Sequence, residues 1–572
     1  MQAQEKMIIS HKGIDYEGIP AASAVGMALF ESLGLGRLID ERCKFDPAKR
    51  TLSPGMVTKI LLGPTFNIRN KSPLYLVNKA YANAPLDRLC GPGVVLEDLT
   101  DYTLARGLDT LFDADLTALF TACSEKAIET LGFVSHVFHM DSTDISFYGM
   151  EHPPDKEGAS VPKHNGHPKD NRPELLQYEL QVVTDSNRII RYMKTYDGNV
   201  GDSAMDRETI SDLVRIFPER ERSGITLVGD CKLATSGNIT KIIDSGFGFV
   251  SKCAVNFKDD GFERARRSSV ASKMHSCGHH GLWMSDINLD VRTAKDRTDV
   301  LRFVAFRWDI KVENREREIL DELSSRTSKL REEVAKKRFR KEADALDYAE
   351  GLIDSDEMFR IIVRTKHCRP VYEPEKDWWA LDLSFEVSRK RVHRQAELDS
   401  TIVLVTNLAR KEHLAAVEED CGCVPGSRRR IPDTDPVDGS GQRRPVTDEE
   451  ILAIYDREYK VERSFALMKS GLGMNTVYVQ KPSRENAMMF VICIGVLLSN
   501  IADAMFRRAD TRLEGTPMTM YRLSHELQTT LVTYSRCDNS LRLMGPPEVT
   551  DRFFDYTDAL RINPQYLLGY SE

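Results

Sequence analysis

The apolar positions divide the chain into a helical stretch and a strand-rich stretch, with the change near residue 132. In the clearest helical segment Leu116, Leu119, Phe120, Cys123, Ala127, Ile128 and Leu131 recur at spacings of three and four, and Gly132 follows where a helix cap belongs. An earlier helix is predicted to start at Ser53-Pro54, with the serine as cap and the proline in the first turn. Residues 1–132 therefore read as a small all-helical N-terminal domain.

Beyond it the apolar runs are short and β-rich. Residues 134–140, 178–183 and 189–193 read as successive strands, 204–217 as a helix, 225–229 as a strand, 239–244 as a helix and 247–252 as a strand. That succession is the element order of an RNase H-like α/β catalytic core, whose first part is assigned to 133–252. Residues 253–446 read as a mixed insertion domain. It holds a His/Cys-rich turn, a strand over 301–310, a long charged helix over 314–353, strands at 359–364 and 402–406, and an exposed loop over 422–445 rich in Pro, Gly, Asp and Arg. Residues 447–572 are expected to complete the core and add C-terminal helices. Their first helix, 449–469, has Thr447 as cap and Glu450 three residues on, a capping box.

Composition narrows the class. A chain of 572 residues, 41% hydrophobic and 29% charged, is long enough for several domains and ordinary for a globular protein. The longest apolar run, 488–498, is far short of the roughly 20 residues a membrane helix needs, so no membrane partner is expected. The first residues lack a basic patch followed by an apolar stretch, which predicts a cytoplasmic location. Eleven scattered cysteines, an odd number, read as reduced thiols. No Gly-x-x-x-x-Gly-Lys loop is present, so no nucleotide cofactor is expected.

The net charge of −8 means that any nucleic-acid contact must come from local clusters. These occur at Lys336, Lys337, Arg338, Arg340 and Lys341, at Arg428–Arg430, and at Arg443 and Arg444. For any one of them a solvated face is the simpler reading. His275, Cys277, His279 and His280, with distant Cys421 and Cys423, match no regular zinc spacing, and a polar loop is the simpler reading. Trp378 and Trp379 suit either base stacking or burial, with burial favoured.

Phosphoryl transfer with two metal ions needs carboxylates converging from several elements. Asp141 follows the strand 134–140, Asp230 ends the strand 225–229, and Glu462 lies inside the helix 449–469. Singly, each reads more simply as a turn residue or a solvated charge. In an RNase H-like sheet, however, the first and fourth strands are neighbours and a later helix packs beside them.

Around these residues stand the blocks MDSTDISFYG, GHPKDNRPELLQYELQVV (with Arg172, Pro173 and Gln177), DGNVGDSAMDRETI (with Gly198, Asn199 and Asp202) and LVGDCKLATSGNI (with Asn238). The helix carries YDREYKVERSFALMK. Through them the chain resembles insertion-sequence transposases of the DDE class, the superfamily with the YREK signature, over nearly its whole length. The resemblance selects Asp141 over Asp144 and implies a catalytic, metal-binding triad of Asp141, Asp230 and Glu462 that uses Mg²⁺, with Mn²⁺ as substitute. It also implies a DNA-gripping helix face carrying Tyr455 and Lys469. The signature's arginine position holds Glu458, with Arg457 and Arg463 nearby as alternative phosphate contacts.

The implied partners are transposon terminal inverted repeats and target DNA, held by a homodimer, with the N-terminal domain binding the element's ends. The implied activity is strand cleavage followed by strand transfer. An RNase H-like nuclease that does not join, and a non-catalytic DNA-binding protein derived from a transposase, are the alternatives.

Overall fold

The computed structural model describes residues 10–11, 14–48, 50–66, 77–147, 164–165, 174–271, 275–276, 281–352, 358–373, 376–411, 435–456, 464–467, 479, 481–537 and 540–567. It is a mixed α/β structure organised around a ten-stranded sheet. The first five long strands are β1 (Val137–Phe147), β2 (Leu176–Asp185), β3 (Ile190–Asp197), β4 (Thr226–Gly229) and β5 (Gly248–Lys252). β1 pairs antiparallel with β2, and β2 with β3. β1 also pairs parallel with β4, and β4 with β5, giving the order β3-β2-β1-β4-β5. First and fourth strands are thus neighbours.

The region beyond residue 253 extends this sheet. β6 (Leu282–Ala294) and β7 (Arg297–Trp308) form a long hairpin. β8 (Phe359–Cys368) and β9 (Trp378–Val387) form a separate two-stranded hairpin, and β10 (Ile402–Thr406) returns to sit antiparallel between β5 and β7.

Side-chain alternation gives the sheet two apolar faces. On one, Phe138, Met140, Val183, Leu227 and Phe249 pack with Ile210 and Leu213 of helix α1 (Asp202–Ile216) and Ile239 and Ile242 of α2 (Ser236–Asp244). The insertion contributes α3 (Asp309–Ala335) and α4 (Glu342–Leu352), which cover one side of the β8–β9 hairpin. On the sheet's other face Val137, Val228, Val250, Val304 and Leu404 pack with Ile451, Leu452 and Ile454 of α5 (Asp448–Tyr455).

Local signals read from the sequence carry through at several places. Ser53 Oγ accepts a hydrogen bond from the Met56 amide at the start of Pro54–Thr65. Gly132 closes Leu116–Leu131 in the left-handed conformation, φ 63°. Thr447 and Glu450 form the reciprocal capping box of α5.

Three expectations differ from the structure. β1 does not stop at residue 140: β2 pairs with it from Phe138 to Phe147, so the polar run after Met140, which reads locally as a turn, is strand, and Asp141 lies within it. The charged helix is broken at 336–341, because Phe339 leaves helical geometry to exchange backbone hydrogen bonds with Trp379. Nor is the N-terminal region all-helical: Ile14–Pro20 is a strand paired with Leu531–Ser535, a partner far too distant in sequence to leave a local signal.

The apolar run 488–498 belongs to the longer helix α6 (Pro482–Arg508). By length and hydropathy α6 meets the test for a membrane span, but 94% of its most apolar window is buried inside the protein, as in a core helix. Phe490 meets Phe120 edge-on at 6.4 Å, and Arg484 grips both carboxylate oxygens of Asp109 at 2.7 and 2.8 Å. The helices of residues 21–131 and the C-terminal helices share one hydrophobic cluster.

Candidate active site

The parallel pairing of β1 with β4 runs Val137↔Thr226, Phe138↔Leu227 and His139↔Val228. The offset is 89 residues, the separation of Asp141 from Asp230. The pairing ends at His139↔Val228, with Asp141 two residues further along β1 and Asp230 just past the end of β4. Val137 and Val228 face α5, so by alternation Asp141, within β1, falls on the α5 face.

Asp141 is half-buried and Asp230 exposed, whereas Asp144 is buried. Asp141 Oδ1 accepts from the Ser142 amide at 2.8 Å. Asp230 is held from two directions: its Oδ1 accepts from the Lys232 amide at 2.7 Å, and its carbonyl accepts from Ser251 Oγ of β5 at 2.6 Å.

Two further aspartates arrive from α1, and reasoning from the sequence gave them no role. Asp202 begins that helix and accepts from Ser142 Oγ at 3.2 Å; Asp206, one turn on, is buried and accepts from Gln181 Nε2 at 3.0 Å. The only signal was their spacing of four residues, which puts both on one side of the helix. Burial pushes the Asp206 carboxyl up to about 8, helped by the neighbouring charges of Asp230, Asp202 and Asp141 and opposed by the Gln181 hydrogen bond. The site therefore concentrates negative charge, which a cation would relieve.

The turn before α1 explains its glycine. A Cβ on Gly198 would stand 2.2 Å from the Gln177 carbonyl oxygen and 2.8 Å from that of His164. Asp197 beside it accepts from the Asn199 amide at 3.3 Å and pairs with His164 Nδ1 at 2.5 Å. This packed turn aims the first turn of α1, and with it Asp202, at β1.

The α5 end is anchored by charge. Arg302 of β7 is 3% exposed; it donates to Asp286 at 3.0 Å and to the Val446 carbonyl at 2.9 Å, and pairs with Asp448 in the first turn of α5. Arg444 pairs with Glu450 at 2.7 Å. Tyr455, the last residue of α5, is half-buried against the apolar cluster beneath the helix. Ser464 and Phe465 further along are buried, and Asn500 of α6 donates to Ser464 Oγ at 3.0 Å.

Glu462, Arg457, Arg463, Lys469 and Glu458 lie outside the described residues, as do Arg172, Pro173, Cys277, His279, His280, Cys421, Cys423 and Arg428–Arg430. Of the triad expected from the sequence, the structure describes Asp141 within β1 and Asp230 just past β4, and both charges raise the Asp206 carboxyl. Among the described residues no three His, Cys, Asp or Glu side chains are grouped closely enough to hold a metal ion.

A family model described as "Domain of unknown function (DUF4277)" matches residues 11–125. No curated protein matches the chain. Among solved structures, the cryo-EM structure of a piggyBac transposase synaptic complex with hairpin DNA is similar at 9% identity, covering 98% of this chain and 88% of that one, with a TM-score of 0.35. A likeness at that score is too loose to carry fold or function across.

Proposed function

We propose that the chain is a DNA transposase of the DDE type, built on an RNase H-like core. In this reading it cleaves DNA at the inverted repeats of an insertion sequence and transfers the strand into target DNA, acting as a homodimer. The observation that carries the reading is the β1–β4 register, whose offset of 89 residues equals the separation of Asp141 from Asp230. The order β3-β2-β1-β4-β5, antiparallel through the first three strands and parallel thereafter, supports it, since an RNase H-like sheet requires that order.

The donors fit a hard divalent cation, because carboxylate oxygens suit Mg²⁺ and Mn²⁺ and the site carries excess negative charge. Asp141, Asp230 and Glu462 would hold the ions, which when bound activate the attacking oxygen and stabilise the leaving oxygen at phosphorus. Ser251 and the Lys232 amide fix Asp230, Ser142 links β1 to Asp202, and Gln181 holds Asp206. Tyr455, Arg457, Arg463 and Lys469 are the proposed phosphate contacts along the catalytic helix.

The test is excision and integration in cells of a marker bracketed by the element's terminal repeats. Wild type should support both, while Asp230→Asn and Glu462→Gln should abolish them; full activity in either variant removes that residue from the mechanism. Cleavage without joining by purified protein would favour a nuclease. In parallel, Mn²⁺ should raise the melting temperature of wild type more than that of Asp230→Ala.

A further inference from the structure

The basic cluster at 336–341 plays no part in the site above, yet the structure gives it a defined setting. Phe339 pairs with Trp379 through two backbone hydrogen bonds, Phe339 N to Trp379 O at 2.9 Å and Trp379 N to Phe339 O at 2.8 Å, so this segment lies along β9 as a third, one-residue rung. Phe339 and Trp379 join the apolar cluster beneath the hairpin with Leu381, Leu383, Ile361 and Val363. Alternation then puts Arg338, Arg340, Trp378, Ala380, Arg364 and Lys366 on the opposite face, away from α3 and α4.

That outer face is asymmetric in charge. Toward the open end of the hairpin each cation stands opposite an acid: Arg360 pairs in register with Glu386, and Arg364 with Asp382. Toward the closed end Lys366 stands opposite Ala380, and the Arg338 guanidinium lies over the Trp378 ring at 4.5 Å. Lys336, Arg340, Lys341, Lys366 and Arg369 are exposed and make no ion pair among the described residues. Among the described residues the acids there are engaged, Asp377 with His367 at 2.8 Å and Glu373 with Lys376 at 2.7 Å. Beyond them Val371 and Tyr372 are 89% and 96% exposed.

We propose that this closed-end face of the β8–β9 hairpin, with the 336–341 segment, is a second DNA-contacting surface that grips the backbone of duplex DNA independently of sequence. Unpaired cations spread over one flat face match a line of phosphates, and the planar Arg338–Trp378 stack keeps one guanidinium extended and ready to donate. An acidic protein partner would meet the same charge, but the fixed spacing of cations along a twisted strand pair suits a regular polyanion better. The inference rests on the proposed DNA transaction and adds a contact outside its carboxylate site.

The experiment compares the full-length protein with Lys336→Ser/Arg340→Ser/Lys366→Ser, and with a control that loses the same charge elsewhere, Arg220→Ser/Lys258→Ser/Arg264→Ser. Binding of a blunt duplex of about 30 base pairs is measured across salt concentrations, where each lost phosphate contact lowers the log–log slope by about 0.9. The hairpin variant should lose two to three units of slope, about 0.9 per removed cation, and bind at least roughly tenfold more weakly at 0.1 M salt. The control should match wild type, and all three proteins should melt alike. A hairpin variant that binds as tightly and with the same slope as wild type overturns this surface while leaving the transposase reading intact. A wild type that binds no duplex overturns both. Equal losses in both variants would assign the effect to net charge and overturn the surface.

Discussion

Arg302 is the residue whose replacement should most disturb the region around α5 without touching the carboxylates of the site. It is 3% exposed and reaches four acceptors at once, Asp286, Asp448 and the carbonyls of Val446 and Ala409. Asp286 keeps a second cation, Arg410, at 3.4 Å, and Arg302 also pairs with Asp448. In Arg302→Met the methionine fills much of the volume, so the dominant cost is the cation lost from beside two buried carboxylates, Asp286 and Asp448, about 3 to 5 kcal/mol. For the domain that contains α5 this corresponds to a melting temperature lowered by on the order of 10 °C.

A double-mutant cycle isolates the cause. Asp448→Asn keeps the shape and the helix start but removes one of the two buried charges that Arg302 offsets, so adding it to Arg302→Met should restore part of the loss. The assay is urea or thermal unfolding followed by fluorescence and circular dichroism, with all four proteins at the same pH and salt. Additive costs, or an Arg302→Met loss under about 1 kcal/mol, would refute the claim that this ion pair fastens α5 to the sheet.

Three further outcomes follow from particular contacts. Asp212 is opposed by burial, yet hydrogen bonds from Tyr192, Arg215 and Lys194 hold its carboxyl below the ordinary value of 3.8. Its contribution should therefore be complete above about pH 4 and drain away as pH falls through the folded value, so Asp212→Asn should flatten the acid limb of the stability curve measured between about pH 2 and 6. Gly198→Ala should destabilise by on the order of 1 to 3 kcal/mol, because a Cβ there meets backbone rather than a movable side chain; calorimetry reads it, and a neutral result would show that the turn yields. Phe490→Ala should cost roughly 3 to 5 kcal/mol through the cavity left against Phe120 in the shared helical core, seen as a lower urea midpoint at unchanged slope.

Legibility in the sequence followed the range of the interactions. The caps at Ser53, Gly132 and Thr447 are made within a few residues, so the sequence marks them. The strand 402–406 is read to the residue, since five consecutive residues, Ile402 to Thr406, carry the pattern of a buried strand. The end of β1 was not legible, because Ser142, Thr143 and Asp144 look like a turn until β2 and the helices bury them. Likewise the hairpin partner Trp378–Val387 and the strand Leu282–Ala294 are interrupted by charged residues, Asp382 and Glu386 in one and Asp286, Asp290 and Arg292 in the other, which weakens their apolar signal. For the candidate site, flanking blocks single out Asp141 and Asp230 as expectations, while the equality of their separation with the strand offset becomes visible only once the parallel pairing is known. Asp206 left no signal beyond its spacing from Asp202 and Arg302 left none, since their roles depend on neighbours brought from distant segments.

The strand Ile14–Pro20, hydrogen-bonded to Leu531–Ser535, also sets the order in which the protein can be completed. Its partner emerges from the ribosome some 500 residues later, which at roughly 5 to 20 residues per second is about half a minute to two minutes of synthesis. Until then the early helices face water along the surface that α6 and the last strands will cover, and Ile14–Pro20 has an open edge on the side of its missing neighbour. The birth of each molecule thus includes an interval in which an early segment waits for a much later one. A fragment restricted to residues 11–125 would remain in that waiting state.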